Sequence, residues 1–183
     1  MRCELETVLH LDNGFDLRPA APGDAATIAL WMAQPHIRQW WQQDWSVERW
    51  AQALTVQASG EHSIPCMAAL DSEDLGYVEL YRVRYDRLAE YYAYEEHDWG
   101  VHVAIGDITR VGRGIGRKLL RSLADALLRA DPRCRRVVAE PDARNTPSVR
   151  AFAAAGFVSQ GELQLPEKTA LLMVRTRTVE ALR

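Results

Sequence analysis

From Arg110 the chain runs Arg110-Val-Gly112-Arg113-Gly114-Ile115-Gly116-Arg117-Lys118. Three glycines alternate with other residues, and Leu119, Leu120, Leu123, Ala124 and Leu127 then keep helical spacing. Glycine reaches φ > 0 and lets backbone come close to a ligand. Successive N–H groups aimed one way, joined to the positive end of a helix, make an anion site. Arg110, Arg113, Arg117 and Lys118 add positive charge around it. The chemistry implied is the binding of a phosphate or pyrophosphate. From the loop alone, a glycine-rich connection carrying solvated arginines remains the alternative.

Two aromatic groups suggest a second site. Trp40, Trp41 and Trp45 follow His36, and Tyr91, Tyr92, Tyr94 and Trp99 cluster further on. With Glu79, Glu90, Glu95, Glu96 and Asp98 they could form a cleft for a cation with an apolar stem. The alternative is core packing beside a solvated acidic loop. His10, His62 and His97 form no usable constellation.

A nucleotide P-loop needs Gly-Lys followed by Ser or Thr, whereas Gly116 is followed by Arg117 and Lys118. A dinucleotide fingerprint places a third glycine where this chain has Arg117. The loop instead resembles the pyrophosphate loop of GNAT-superfamily N-acyltransferases, with Gly114 and Gly116 in register and Val111 where Gln or Arg is usual. Asn145-Thr-Pro-Ser-Val-Arg-Ala-Phe152-Ala-Ala-Ala-Gly156-Phe157 is similar to the last helix of that superfamily. A purely structural capping role for Asn145 stays open. Many members carry a tyrosine at the position of Phe152 to protonate the leaving thiolate; Phe152 has no hydroxyl, so that proton has another source.

Further stretches narrow the resemblance: His36 with Trp40-Trp41, Gly100-Val-His102, Glu140-Pro-Asp142-Ala-Arg144-Asn145, and Leu165-Pro-Glu-Lys168-Thr-Ala-Leu-Leu-Met173. Over most of residues 15–176 they look like the branch holding siderophore-biosynthesis lysine and hydroxylysine N-acyltransferases and aminoglycoside 6'-N-acetyltransferases. The resemblance implies His102 and Asp142 as catalytic residues. It implies acyl-CoA, such as acetyl-CoA, as cosubstrate, held at Val103, Ile105, Arg110, Gly112, Arg113, Gly114, Ile115, Gly116, Arg117 and Asn145. His36, Trp40, Trp41, Glu79 and Tyr92 would bind the acceptor, a small cationic amine or hydroxylamine. The siderophore branch is favoured by the Gly-x-His strand and the Leu-Pro-x-Lys tail. An aminoglycoside 6'-N-acetyltransferase and a CoA-binding domain without turnover remain alternatives. No metal is expected.

The implied pairing is chemically sensible. Acyl transfer to nitrogen needs a neutral amine, and deprotonating a lysine-like amine at pH 7 costs roughly 4–5 kcal/mol. An imidazole can take that proton directly or through water. A carboxylate can orient the imidazole or hold the ammonium. Strand N–H groups would supply oxyanion donors. For His102, satisfaction within the core is the structural alternative; for Asp142, a turn before a helix.

The elements that must position these groups alternate along the chain. Strands are expected at Gly14–Pro19, Ile64–Leu70, Leu75–Val83, Trp99–Ile105, Arg135–Glu140, Phe157–Leu163 and Ala170–Thr176. Helices are expected from Asp24 as N-cap to Gln34 with Pro35 as terminator, from about Ser46 to Ser59, from the glycine loop to Ala130, and from Ser148 to Ala155. Asp71–Asp74 reads as a hairpin turn, and Tyr85–His97 as a loop or broken helix. Residues 1–13 are a possible extra strand or arm. The fold class expected is α/β, one GNAT-like domain over 1–183 with a mixed central sheet flanked by helices. A net charge of −3 over 183 residues argues against nucleic-acid binding. No stretch resembles a membrane span or signal peptide. Cys3, Cys66 and Cys134 lack zinc or disulfide spacing, which suits the cytoplasm. A monomer and a homodimer are both compatible.

Overall fold

The computed structural model describes residues 9–59 and 62–177. Eight strands form one mixed sheet, and the chain groups into two units. The first comprises residues 1–81 and 102–116, the second residues 82–101 and 117–183. The expected arm over 1–13 lies mostly outside the described residues. Within them, β1 (Leu9–His10) pairs antiparallel with β2 (Phe15–Pro19).

In the first unit, β2 pairs antiparallel with β3 (Ser63–Leu70), and β3 with β4 (Glu73–Arg82). The β3–β4 turn is shorter than expected, because Leu70 already pairs with Glu73. Asp71 and Ser72 both take positive φ, 52° and 68°, as a two-residue hairpin whose twist matches its strands requires. α1 (Ala25–Met32) packs Ile28 and Met32 into a core shared with Trp50, Leu54, Met67 and Tyr77. Trp31 is partly buried and packs against the same core.

Two local expectations are corrected here. Asp24 does not cap α1 with its side chain. It closes a 3-10 turn at Pro22–Asp24, where its carboxylate accepts from the Ala21 amide and pairs bidentately with Arg18 of β2. Pro35 does not end the helical region either: it opens a separate helix, α2 (Pro35–Trp41). Proline lacks only an N–H that the first turn leaves unused, so it suits a helix start. α3 (Val47–Ser59) follows, with the Ser46 hydroxyl accepting from the Arg49 amide at 3.3 Å.

β5 (Trp99–Ile105) begins in the second unit and ends in the first. Trp99 and Gly100 pair parallel with β6 (Arg136–Ala139). β6 pairs antiparallel with β8 (Thr169–Thr176), and β8 with β7 (Val158–Gln164). α4 (Ile115–Ala130) buries Leu119, Leu120, Leu123 and Leu127, as its spacing requires. Arg177 donates to the carbonyls of Leu128, Asp131 and Cys134 where α4 ends. α5 (Thr146–Ala154) is closed by Gly156 at φ 93°. The segment expected as a loop or broken helix, Tyr85–His97, contains a short 3-10 turn at Arg87–Glu90, and another, Val83–Tyr85, ends at its first residue.

Candidate active site

The first unit gathers one polar cluster. Side chains on a strand alternate between faces, so Tyr77, Glu79 and Tyr81 of β4 share one side. The His102 imidazole lies against that side, with its ring centroid 4.9 Å from Tyr81 and 5.8 Å from Trp41. Its Nδ1 is 3.7 Å from Glu79 Oε2, close enough for charge attraction but longer than a hydrogen bond. Glu79 Oε1 accepts from Gln57 Nε2 at 2.7 Å. Burial pushes the Glu79 carboxyl upward, but the His102 imidazole, the Ser63 hydroxyl and His62 more than offset it. Its pKa therefore falls below the ordinary glutamate value, and a carboxylate faces the imidazole at neutral pH.

Two neighbours fix the frame. β4 and β5 approach so closely at Gly76 that a Cβ there would lie 2.1 Å from the Ala104 carbonyl oxygen. Only glycine fits, and this holds the His102 strand against the Glu79 strand. On α2, His36 Nε2 lies 3.0 Å from the Ile105 carbonyl oxygen. A carbonyl can only accept, so Nε2 carries the proton and ties α2 to the end of β5. His36, expected at the acceptor, thus has one ring nitrogen occupied by backbone. Trp41 stacks edge-on with Tyr77 as well as His102, and Trp40 is partly buried one position earlier.

The glycine loop lies at the end of the same unit. Gly112 and Gly114 both take φ 77°, a region that L side chains rarely adopt. A Cβ on Gly112 or Gly116 would meet nothing within 4 Å, so open space lies over the loop. α4 starts at Ile115, and the first amides of a helix have no partner inside it. Arg110 is already committed to Glu73 and Asp107. Arg113 and Arg117 are exposed and have no ion pair among the described residues. Val111 is exposed, while Val103 and Ile105 are partly buried on β5. The loop thus offers backbone donors and cationic side chains to a phosphate.

The remaining expected site residues lie in the second unit. Asp142 is buried and held by Arg144: its oxygens accept from the Arg144 amide at 2.8 Å and from the guanidinium at 3.0 and 2.7 Å. The Arg144 hydrogen bonds hold its pKa below the usual aspartate range, against the upward push of burial. Asn145 caps α5, its side-chain oxygen accepting from the Ser148 amide at 3.2 Å. Tyr92 donates its hydroxyl to buried Asp98, which also binds Arg136. Burial, with Asp98 beside it, raises the Tyr92 pKa, so the phenol stays neutral. Phe152 packs edge-on against Phe157. Among the described residues no group of His, Cys, Asp and Glu could hold a metal ion, and no helix is long and apolar enough to cross a membrane.

Sequence reasoning named His102 and Glu79 but not their pairing, and it missed Gln57, Ser63 and Tyr81 around them. Alternation along Tyr77-Val-Glu79-Leu-Tyr81 was the available signal.

Comparison with known proteins gives the family. A family model described as an acetyltransferase (GNAT) domain matches residues 21–165. Lysine N-acyltransferase MbtK of Mycolicibacterium paratuberculosis is 41% identical over 155 residues, covering 85% of this chain and 70% of the relative. N-hydroxyputrescine acetyltransferase of Acinetobacter baumannii is 33% identical over 151 residues, covering 82% and 72%. Among solved structures, aminoglycoside acetyltransferase AAC(6')-Ib in complex with coenzyme A and kanamycin superposes with a TM-score of 0.78 at 26% identity, covering 89% and 95%.

Proposed function

On the premise that this chain belongs to the GNAT acetyltransferase domain family and is an acyl-CoA-dependent N-acyltransferase, we propose that it moves an acyl group, such as acetyl, to the terminal amine or hydroxylamine of a lysine- or ornithine-type siderophore precursor. The observation that carries this is the His102 imidazole facing the Glu79 carboxylate among Trp41 and Tyr81. Aromatic faces and a partly buried carboxylate suit a cationic head on an apolar stem.

In this scheme the glycine loop and the start of α4 hold the CoA pyrophosphate through backbone N–H groups, with Arg113 and Arg117 adding charge. Val103 and Ile105 lie along the thioester arm. The acceptor nitrogen attacks the thioester carbonyl carbon, and its proton passes to His102. Glu79 steadies the imidazolium that forms. Collapse of the tetrahedral adduct breaks the C–S bond; the thiolate takes its proton from water, since Phe152 has none to give, and the His102 imidazolium neutralises the hydroxide left, which restores the base. Asp142, with its oxygens on Arg144, shapes the approach to α5 and contributes negative charge rather than accepting a proton. Within the second unit Asn145 caps α5 and Tyr92 holds Asp98.

A second reading, acetylation of an aminoglycoside, is favoured by the similarity to the kanamycin-bound enzyme. Both readings use the same base. His102→Ala should lower kcat by ~10²–10⁴ in a thiol-release assay, with CoA affinity unchanged. The loss of activity on acidification should disappear in the variant when measured with the same acceptor. Retention of that acid limb would assign the base elsewhere.

A further inference from the structure

α3 turns Arg49, Ala53, Val56 and Gln57 toward a cavity of about 370 Å³. Steps of four, three and one keep these residues on one helix face. Tyr77 and Glu79 of β4 form the opposite wall, and Trp45 and Trp50 also line it. The two ends of the α3 stripe differ in charge. At one end Gln57 holds the Glu79 carboxylate that also faces His102. At the other, the Arg49 guanidinium lies 4.1 Å from the centroid of the Trp45 ring and pairs with no carboxylate among the described residues. Gln57 lies eight positions after Arg49, or about 12 Å along the helix.

We propose that Arg49 binds the carboxylate of an amino-acid acceptor whose far amine is presented to Glu79 and His102, so that this cavity selects an amphoteric amine over a polycation. The proposal rests on the acceptor-amine function given above. An extended lysine spans roughly 9 Å from amine nitrogen to carboxylate oxygen by standard bond lengths, and a hydrogen bond at each end adds roughly 3 Å. That reach, roughly 15 Å in all, covers the run from Arg49 to the Gln57–Glu79 contact. The methylene stem would lie against Tyr77 and the two indoles. A diamine or an amino sugar would instead bring a cation against Arg49, a repulsive element that discriminates as effectively as an added contact.

The test compares L-lysine with cadaverine, the same chain without the carboxylate, on the native protein and on Arg49→Gln. Both kcat/KM by thiol release and Kd by calorimetry are measured. Native protein should favour lysine at least tenfold in both. Arg49→Gln should weaken lysine about tenfold and leave cadaverine unchanged or improved; Arg49 is exposed, so the variant should fold. Equal treatment of the two amines by native protein, an unchanged ratio in the variant, or no binding of either would overturn the proposal. Arg49-dependent lysine binding without acyl transfer would support the subsite while refuting the amine-transfer function. Transfer to both amines alike would do the reverse.

Discussion

Glu79 sits at the junction of two roles. One carboxylate oxygen is held by Gln57 and the other faces His102. Its charge survives burial because the imidazole and the hydroxyl beside it favour the ionised form. Glu79→Gln keeps the size and the hydrogen-bonding capacity but removes the charge. It should lower kcat by about tenfold or more, while CoA affinity by calorimetry stays the same. An unchanged kcat would show that His102 works without a carboxylate partner. His102 was legible from the Gly100-Val-His102 motif, and Glu79 from its charge beside aromatics. Their pairing was not, because it depends on β4 and β5 meeting at Gly76, a contact between residues distant in sequence. The capping role of Asn145 was legible before α5, whereas the bond from the Tyr92 hydroxyl to Asp98 depends on how the loop folds, which residue type alone does not reveal.

At the scale of elements, the glycine loop and α4 were the clearest stretch in the sequence. The alternating glycines pointed to positive φ, and the two that adopt it are Gly112 and Gly114. The leucine spacing gave the buried face of α4 directly. Gly114→Val would put a β-branched residue at φ 77°, which strains the loop and crowds the amides offered to phosphate. CoA affinity should fall at least about tenfold, or ~1.4 kcal/mol, with the unfolding midpoint measured in parallel to confirm a folded variant. Unchanged affinity in folded protein would remove the loop from the CoA site. α2 was hidden because Pro35 serves equally well as a stop after one helix and as the first residue of the next. That ambiguity matters for function, since α2 carries His36 to the Ile105 carbonyl and Trp41 to His102.

For the whole molecule, alternating strands and helices sufficed for the α/β class and its mixed sheet, and the family match bears that out. Several elements are locally encoded, by leucine spacing in α4 or by Asp71-Ser72 in the β3–β4 turn. The acceptor's identity is not encoded in that way. The acceptor proposed above is argued instead from how α3, β4 and β5 of the first unit combine Arg49, the aromatic walls, Glu79 and His102. The central claim, acyl transfer to an amino-acid-type amine, is therefore tested by competition for one labelled acetyl group. Native protein receives labelled acetyl-CoA with equal concentrations of lysine or hydroxylysine and an aminoglycoside such as kanamycin. The amino-acid acceptor should take the label with kcat/KM at least ~10-fold higher, about 1.4 kcal/mol of transition-state discrimination. Label found mostly on the aminoglycoside would contradict the account.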